Sequence, residues 1–387
     1  MKKQSAMLFF LLLIGMLFLM QLSVYASEIS KEKEISQEEL EEKLMNQMDF
    51  QRIDQTLKGI FPEEKLKFGE TVQAILKGDM ACSFQLIQQL VSDQLSYEFR
   101  YNKSNMVHIL LIAIVAAVFT NFSRVFHNQQ VSEISFYILY LLMITLCLDS
   151  FRVLIVSVTE RITYLSDFMR ALGPAYFLAV AIAAGSTTSI VFYNMVLFLI
   201  YLIEILILNF LLPFIHVYLM VKVLNHLTQE EYLSKLAELI HIICTWTLKT
   251  LLACVVGLNV IQGLISPVID SIKRSAITRG AEAIPGVGDA IGGVTEVVLG
   301  TTVLVKNGIG VTGAIICVGI CVIPLIQIGM MTLMYKLIAA VVQPISDNRI
   351  VGCISSIGEG CQLLMRVIFT VGVLFLITIA VVTATTT

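Results

Sequence analysis

Charge is scarce in this sequence. Asp, Glu, Lys and Arg make up 14% of its 387 residues, against roughly one quarter in soluble domains. With 57% hydrophobic residues and a mean hydropathy of +0.84, that shortfall excludes a soluble protein and describes an integral membrane one. Excess positive charge is lacking too. The formal net charge is −3, which excludes a nucleic-acid binder driven by bulk charge. The five histidines are scattered and form no zinc spacing. There is no H-E-x-x-H, no P-loop and no G-x-S-x-G. No metal, no cofactor and no catalytic residue is therefore expected. Of eight cysteines, seven lie in or next to apolar segments and only Cys82 falls in the hydrophilic N-terminal region. That is not a disulfide framework.

What is present starts with an export signal. Lys2 and Lys3 precede an apolar core, Met7 to Met20, and Val24-Tyr25-Ala26 offers a small-residue cleavage site before Ser27. Residues 1–26 are expected to be a signal peptide, with an uncleaved anchor as the alternative. Residues 27–104 are hydrophilic and helix-like. The capping box Ser36-Gln37-Glu38-Glu39 opens a pattern through Leu40, Leu44, Ile53, Leu57 and Ile60 that Pro62 breaks. A second helix carries Val72, Ile75 and Leu76 and stops at Gly78-Asp79; a third carries Phe84, Ile87, Leu90, Val91 and Leu95. The expectation is a small extracytoplasmic module of amphipathic helices, packed on itself, on the membrane surface or on a partner.

Apolar spans long enough to cross a bilayer, about 20 residues each, fall near 105–123, 134–158, 168–187, 189–221, 242–268, 309–341 and 363–384. The fourth and sixth are long and contain Pro213 and Pro324. The fold class expected is all-α: a polytopic helical membrane protein with an internal repeat and a small N-terminal helical module. The first two transmembrane helices occupy 105–160, and a duplicated domain occupies 161–387. A second capping box, Thr228-Gln229-Glu230-Glu231, opens an amphipathic segment from Tyr232 to Ile240 expected at the interface. With the module outside and every span crossing once, the loop at 124–133 with Arg124 is inside, and 159–170 with Arg161 and Arg170 is outside. The loop at 269–308, carrying Lys273, Arg274, Arg279 and Lys306, and the C-terminus are then inside.

The repeat emerges when Pro213 is aligned with Pro324. "LLPFIHVYLMVKVLNHL" then faces "VIPLIQIGMMTLMYKLI", and "TLKTLLACVVGL" faces "LLMRVIFTVGVL", with Lys249 opposite Arg366. Upstream, "LGPAYFLAVAIAAGSTTS" faces "AIPGVGDAIGGVTEVVLGTT". The halves, about 168–268 and 280–387, share one order: a small-residue segment, a long proline-containing helix, a polar elbow, and a helix with one basic residue. Paired small-residue segments of this kind point to a pathway or site at the repeat interface.

Two motifs invite enzymatic readings. Gly286-Val287-Gly288-Asp289 spells the G-x-G-D of membrane-embedded aspartyl proteases, with Asp149 as the available second aspartate. However, Leu148 stands where those families carry tyrosine, and Leu325 and Ile326 follow Pro324 where they carry Ala-Leu. Asp289 reads more simply as a helix N-cap or interfacial carboxylate. The G-x-G-x-x-G match from Gly308 to Gly313 has neither a preceding strand nor an acidic residue about 20 positions on, so a dinucleotide site is rejected. Cys317 and Cys321 share a helical face as packing residues. A charge at mid-bilayer costs about 2.5–3.5 kcal/mol on insertion scales and so faces protein or water. Glu204 lies far from either end of its span, as a polar-pathway or helix-pairing residue or as an inert protonated carboxyl. The candidate pathway or packing residues are Glu204, Asp149, Lys249, Arg366, Asp289, Gly286, Gly288, Gly292 and Gly293.

The stretch from "DFMRALGPAYFLAVAIAAGSTTS" to the C-terminus, above all "SIKRSAITRGAEAIPGVGDAIGGVTEVVLGTTVLVKNGIGVTGA", resembles the stage III sporulation protein AE family of endospore-forming bacteria. The signal peptide and external module fit the same family. The resemblance implies a multi-spanning protein of the mother cell, in the membrane around the engulfed forespore. It implies work with other products of the stage III sporulation A operon and a forespore partner, as part of a trans-envelope channel or secretion-like complex. No catalytic residues come with it, and an oligomer is left open. The other open classes are a stand-alone small-solute permease and an intramembrane aspartyl protease using Asp149 and Asp289. The glycine segment at 283–300 is read as a tightly packed, re-entrant or spanning element near a conduit.

Overall fold

A computed structural model describes residues 37–61, 67–77, 107–115, 117–118, 129–184, 186–227, 232–281 and 288–385, with the backbone alone over 37–39, 129–133, 135, 184, 186–188, 262–281, 288–299 and 385. The signal peptide, the third module helix and the Thr228 capping box lie outside the described residues. Among the described residues every element is helical. We label them α1 (Gln37–Gln47), α2 (Gln51–Ile60), α3 (Phe68–Leu76), α4 (Gln129–Ala184), α5 (Ser186–Ile203), α6 (Leu212–Asn225), α7 (Ser234–Ala281), α8 (Gly288–Val342) and α9 (Asn348–Thr385). Five stretches are long and apolar enough to cross a membrane: Phe136–Ala183, Ser189–Asn225, Ser234–Ile261, Gly300–Val342 and Asn348–Ala384.

The largest departure from the sequence reading is α4. The spans expected at 134–158 and 168–187 are one unbroken 56-residue helix. Pro174 lies inside it, tolerated because neighbouring helices can satisfy the carbonyl it frees. The segment expected to lie at the interface, Tyr232 to Ile240, is a turn at Tyr232 and Leu233 followed by the first residues of the 48-residue helix α7. In the module, the single helix expected from Ser36 to Ile60 is two. The chain breaks after Gln47, and the Asp49 carboxylate accepts the Gln51 N–H at 3.0 Å to restart it.

The two aligned prolines differ locally. Pro324 sits inside α8 with the helix continuous. Ahead of Pro213, Glu204–Leu211 widens into a π-helix. Proline offers no N–H to the preceding turn and crowds the carbonyl four residues back; a widened turn relieves both.

Helices α8 and α9 form the central antiparallel pair, joined by a turn at 343–347. Gly358 sits on Thr332 and Tyr335, and Gly372 on Cys321. Helix α4 flanks this pair on one side: Ser157 donates to Gln327 at 2.7 Å, and Gly360 faces Phe151. Helix α7 lies on another side, where Asn259 reaches Thr378 at 3.3 Å. The α5–α6 arm fills the remaining face. Tyr140 donates to the Val223 carbonyl at 3.0 Å, and His226 meets Ser356 at 3.1 Å. The module sits at one end, and a single apolar core runs from Ile53, Leu57 and Phe68 into the bundle. The module was expected to pack on itself, on the membrane surface or on a partner; it packs instead on the bundle of its own chain, against α4 and α8.

With α4 counted once, the two ends are sorted differently from the sequence expectation. Leu76 of α3 touches Gly308, and Thr383 near the end of α9 meets Tyr176. The ends of α4, α7 and α9 and the start of α8 are therefore on the module's side. The basic cluster Lys273, Arg274, Arg279 and Lys306 moves there, as does the C-terminus. The opposite end carries Lys222, Lys235, Lys336 and Arg349, so basic residues do not distinguish the two ends.

Candidate functional site

The strongest concentration of polar chemistry lies where the module meets the bundle. Helix α2 presents Arg52, Gln55 and Thr56 to Tyr164, Asp167 and Arg170 of α4, across a cleft of about 320 Å³ that Gly59 and Ile60 close. Helix α2 is held there by its buried stripe of Ile53, Leu57 and Ile60. Its Asp54 carboxylate accepts the Phe68 N–H at 2.8 Å, which ties α2 to α3. At the module's rim, Glu70 accepts a hydrogen bond from Lys67 at 2.6 Å and holds that ammonium above its ordinary range.

Arg170 is the hinge of the cleft. One guanidinium nitrogen lies 2.7 Å from the Glu204 carboxylate, and the other 3.4 Å from Asp167. Glu204 is thus an ion-paired residue that ties the first turn of the π-helix to α4, not a lone carboxyl. A charge-assisted pair of this kind is stronger than a neutral hydrogen bond.

Behind the cleft the rejected G-x-G-x-x-G turns out to be packing. Gly308 lies under Leu76 of the module, where an added Cβ would come within 3.0 Å of the Leu76 side chain. Gly310 faces Thr383 and the Tyr176 hydroxyl, and these two hydroxyls are 2.6 Å apart. Lys306, buried one turn earlier, donates to the Thr383 carbonyl at 3.0 Å. A cation there satisfies one of the last carbonyls of α9 and complements the negative end of its dipole. Module, α4, α8 and α9 converge on these few residues. The sequence carried the signal in the glycine spacing, but the partners lie tens to hundreds of residues away.

The remaining candidates are dispersed. Asp149, Lys249 and Arg366 are exposed on α4, α7 and α9, and Lys249 and Arg366 belong to neighbouring helices. Gly288, Gly292 and Gly293 fall in the first turns of α8, as does the backbone of Asp289; the Asp289 side chain and Gly286 lie outside the described residues. Helix rise puts Asp289 about 57 Å along α8 from Gln327. Ser157 joins Gln327, and Asp149 lies two turns further from the module. The backbone does not bring the two aspartates together as a proteolytic pair requires. Among the described residues no group of three or more His, Cys, Asp or Glu is placed to hold a metal ion.

A family model described as stage III sporulation protein AE matches residues 66–386. The chain is 26% identical over 325 residues to the stage III sporulation protein AE of Bacillus subtilis (strain 168), covering 84% of this chain and 81% of that one. No solved structure matches.

Proposed function

The chain belongs to the stage III sporulation protein AE family, and from that premise we propose that it is a membrane component of a channel or secretion-like complex joining mother cell and forespore. A sporulation role follows from the family, and a multi-pass membrane protein from the five long apolar helices. In our reading the protein lies in the mother-cell-derived membrane around the forespore. It contributes scaffold or conduit wall beside other proteins of the stage III sporulation A operon, and its external face meets a forespore partner. It works without catalytic residues or a cofactor.

The observation that supports this most is the seating of the module. The helical module shares a core with α4 and α8 and stands at the same end as the C-terminus and the glycine-rich start of α8. In our reading the module is exported, so that end is one assembled surface outside the membrane, which suits a protein that docks others there. A stand-alone permease has no need of it.

Two measurements test the proposal. A strain lacking the gene is expected to grow normally and to form no heat-resistant spores, with the native chain restoring them and Asp289→Ala restoring them equally. Normal sporulation of the deletion strain would remove the functional reading. An alkaline phosphatase fused after Thr387 is expected to be active, because the C-terminus shares the module's side. An inactive fusion with an exported module would refute the arrangement of ends.

A further inference from the structure

Two cations stand where lipid offers them nothing. Lys249 of α7 and Arg366 of α9 are exposed, and neither makes an ion pair among the described residues. The carboxylates described on these two helices are committed elsewhere, Glu238 to Lys235 and Glu359 to Lys222. Lys249 lies about 22 Å and 18 Å from the ends of its apolar stretch, Ser234–Ile261, and Arg366 about 27 Å from either end of Asn348–Ala384. Half a hydrocarbon core is about 15 Å. Snorkelling to the headgroups serves basic residues near helix ends, and these two stand near the middle of theirs. A charge at that depth pairs with protein or meets water.

The two cations are level and border one groove. The His241 ring of α7 lies 5.7 Å from that of Tyr218 of α6, and the next residue, Leu219, meets Gly360 of α9. From that common level, helix rise toward the module lifts Lys249 by about 12 Å and Arg366 by about 9 Å. Around α9 the packed neighbours follow in the order α8, α4, α6 and α7, which leaves its outer flank open between α7 and α8. Arg366 stands at the α7 edge of that opening, close enough to His241 for its charge to be felt there. On α7, His241 and Asn259 are five turns apart on one face, which looks onto α6 and α9. Lys249 is about 80° round from that face, on the edge bordering the same opening. The exposed side chains of Ile242, Trp246 and Phe369 lie beside the pair. In the repeat read from the sequence Lys249 aligns with Arg366, so each half supplies one of the two cations at one height.

We propose that a membrane-spanning helix of a partner protein, bearing a carboxylate at its middle, docks along the α7–α9 groove and pairs with Lys249 and Arg366. Charge and depth select this occupant. A carboxylate carried on a helix can sit at mid-membrane, whereas a lipid phosphate stays at the edge. Opposite charges meeting there relieve a cost that each would bear alone in hydrocarbon. The apolar side chains beside the cations suit the rest of such a helix. The inference deepens the reading of the chain as one component of a complex, and rests on it for a partner to exist.

The chain's only tryptophan, Trp246, lies on this flank one turn before Lys249, and it supplies the readout. The full-length protein is placed in phosphatidylcholine vesicles. The probe is a synthetic Leu-Ala helix of about 23 residues, without tryptophan, carrying one central Asp and a terminal dansyl group. Energy transfer from Trp246 is expected to saturate at a roughly tenfold lower peptide-to-lipid ratio than with a central Asn. Lys249→Gln with Arg366→Gln is expected to abolish that preference, and Arg366→Lys to keep it. Lys249→Glu with Arg366→Glu is expected to move the preference to a peptide with a central Lys. Circular dichroism confirms that the variants stay folded. Equal binding of the Asp and Asn peptides, or a preference that survives the double Gln change, would overturn the proposal. So would brominated phosphatidylglycerol that quenches Trp246 more than brominated phosphatidylcholine does and displaces the Asp peptide, since a lipid headgroup would then hold the site. The vesicles contain no other sporulation protein, so a failure here leaves the spore test of the family reading standing.

Discussion

The central hairpin and the flanking helix α7 are all long apolar helices, and they sit in different surroundings. In α8, 61% of the apolar window is buried, and in α9 50%; in α7 the figure is 28%. The hairpin is the more apolar of the two, at a mean hydropathy of 2.6 and 2.7 against 1.9. Shape separates them further. Helix α8 brings small residues to its contacts, so α4, α9 and the module approach closely at Gly308, Gly310 and Gly313. Between helices that lipid would wet equally well, close approach is what makes association favourable. Helix α7 instead turns Leu239, Ile242, Trp246 and Leu258 outward.

Breaking the central side of this comparison should have the largest effect. Gly310→Leu forces a branched side chain against Thr383 and Tyr176, whose hydroxyls already contact each other. Overpacking of a tight contact costs about 1–3 kcal/mol and sometimes more, and here it also parts a part-buried hydrogen bond. The expected outcome is loss of folded protein in membranes and of spores, read by immunoblot and heat-resistant titre. Native levels of both would mean that close approach at Gly310 is not what holds the hairpin.

An intermediate effect is expected at the charged junction, where the comparison is sharpened by a pair both partly buried and partly wet. Arg170 and Glu204 are 39% and 25% exposed. After discounting for solvent, Glu204→Gln should cost about 1–2 kcal/mol of unfolding free energy. Arg170→Ala and Glu204→Ala together should cost less than the sum of the two alone, because the second change removes a charge already left unpaired. Additive losses in detergent unfolding would mean that the two side chains act independently.

The same pair shows what could be read from sequence. Helical class, the spans from 189 onward and the elbow after Asn225 follow from local pattern, because each depends on residues near one another. The fusion of two expected spans into α4 does not. Glu160, Arg161, Asp167 and Arg170 read as a loop because charge in a short window signals water. In the fold Asp167 and Arg170 face the module and Glu204, so the helix keeps its path and the count of crossings changes by one. The side assigned to 269–308 and the C-terminus changed with it. The glycine triplet was legible as a motif and misleading as a cofactor signature; its meaning lay in Leu76, Leu172, Tyr176 and Thr383.

The smallest effect belongs to α7. Trp246 is 70% exposed, so within one copy its removal should change stability by no more than about 0.5 kcal/mol. Trp246→Ala should therefore leave unfolding in detergent unchanged, where a buried aromatic of the hairpin would cost several kcal/mol on the same truncation. If Trp246→Ala destabilises the protein, then α7 is held by contacts within its own chain, and the contrast between hairpin and flank is one of degree.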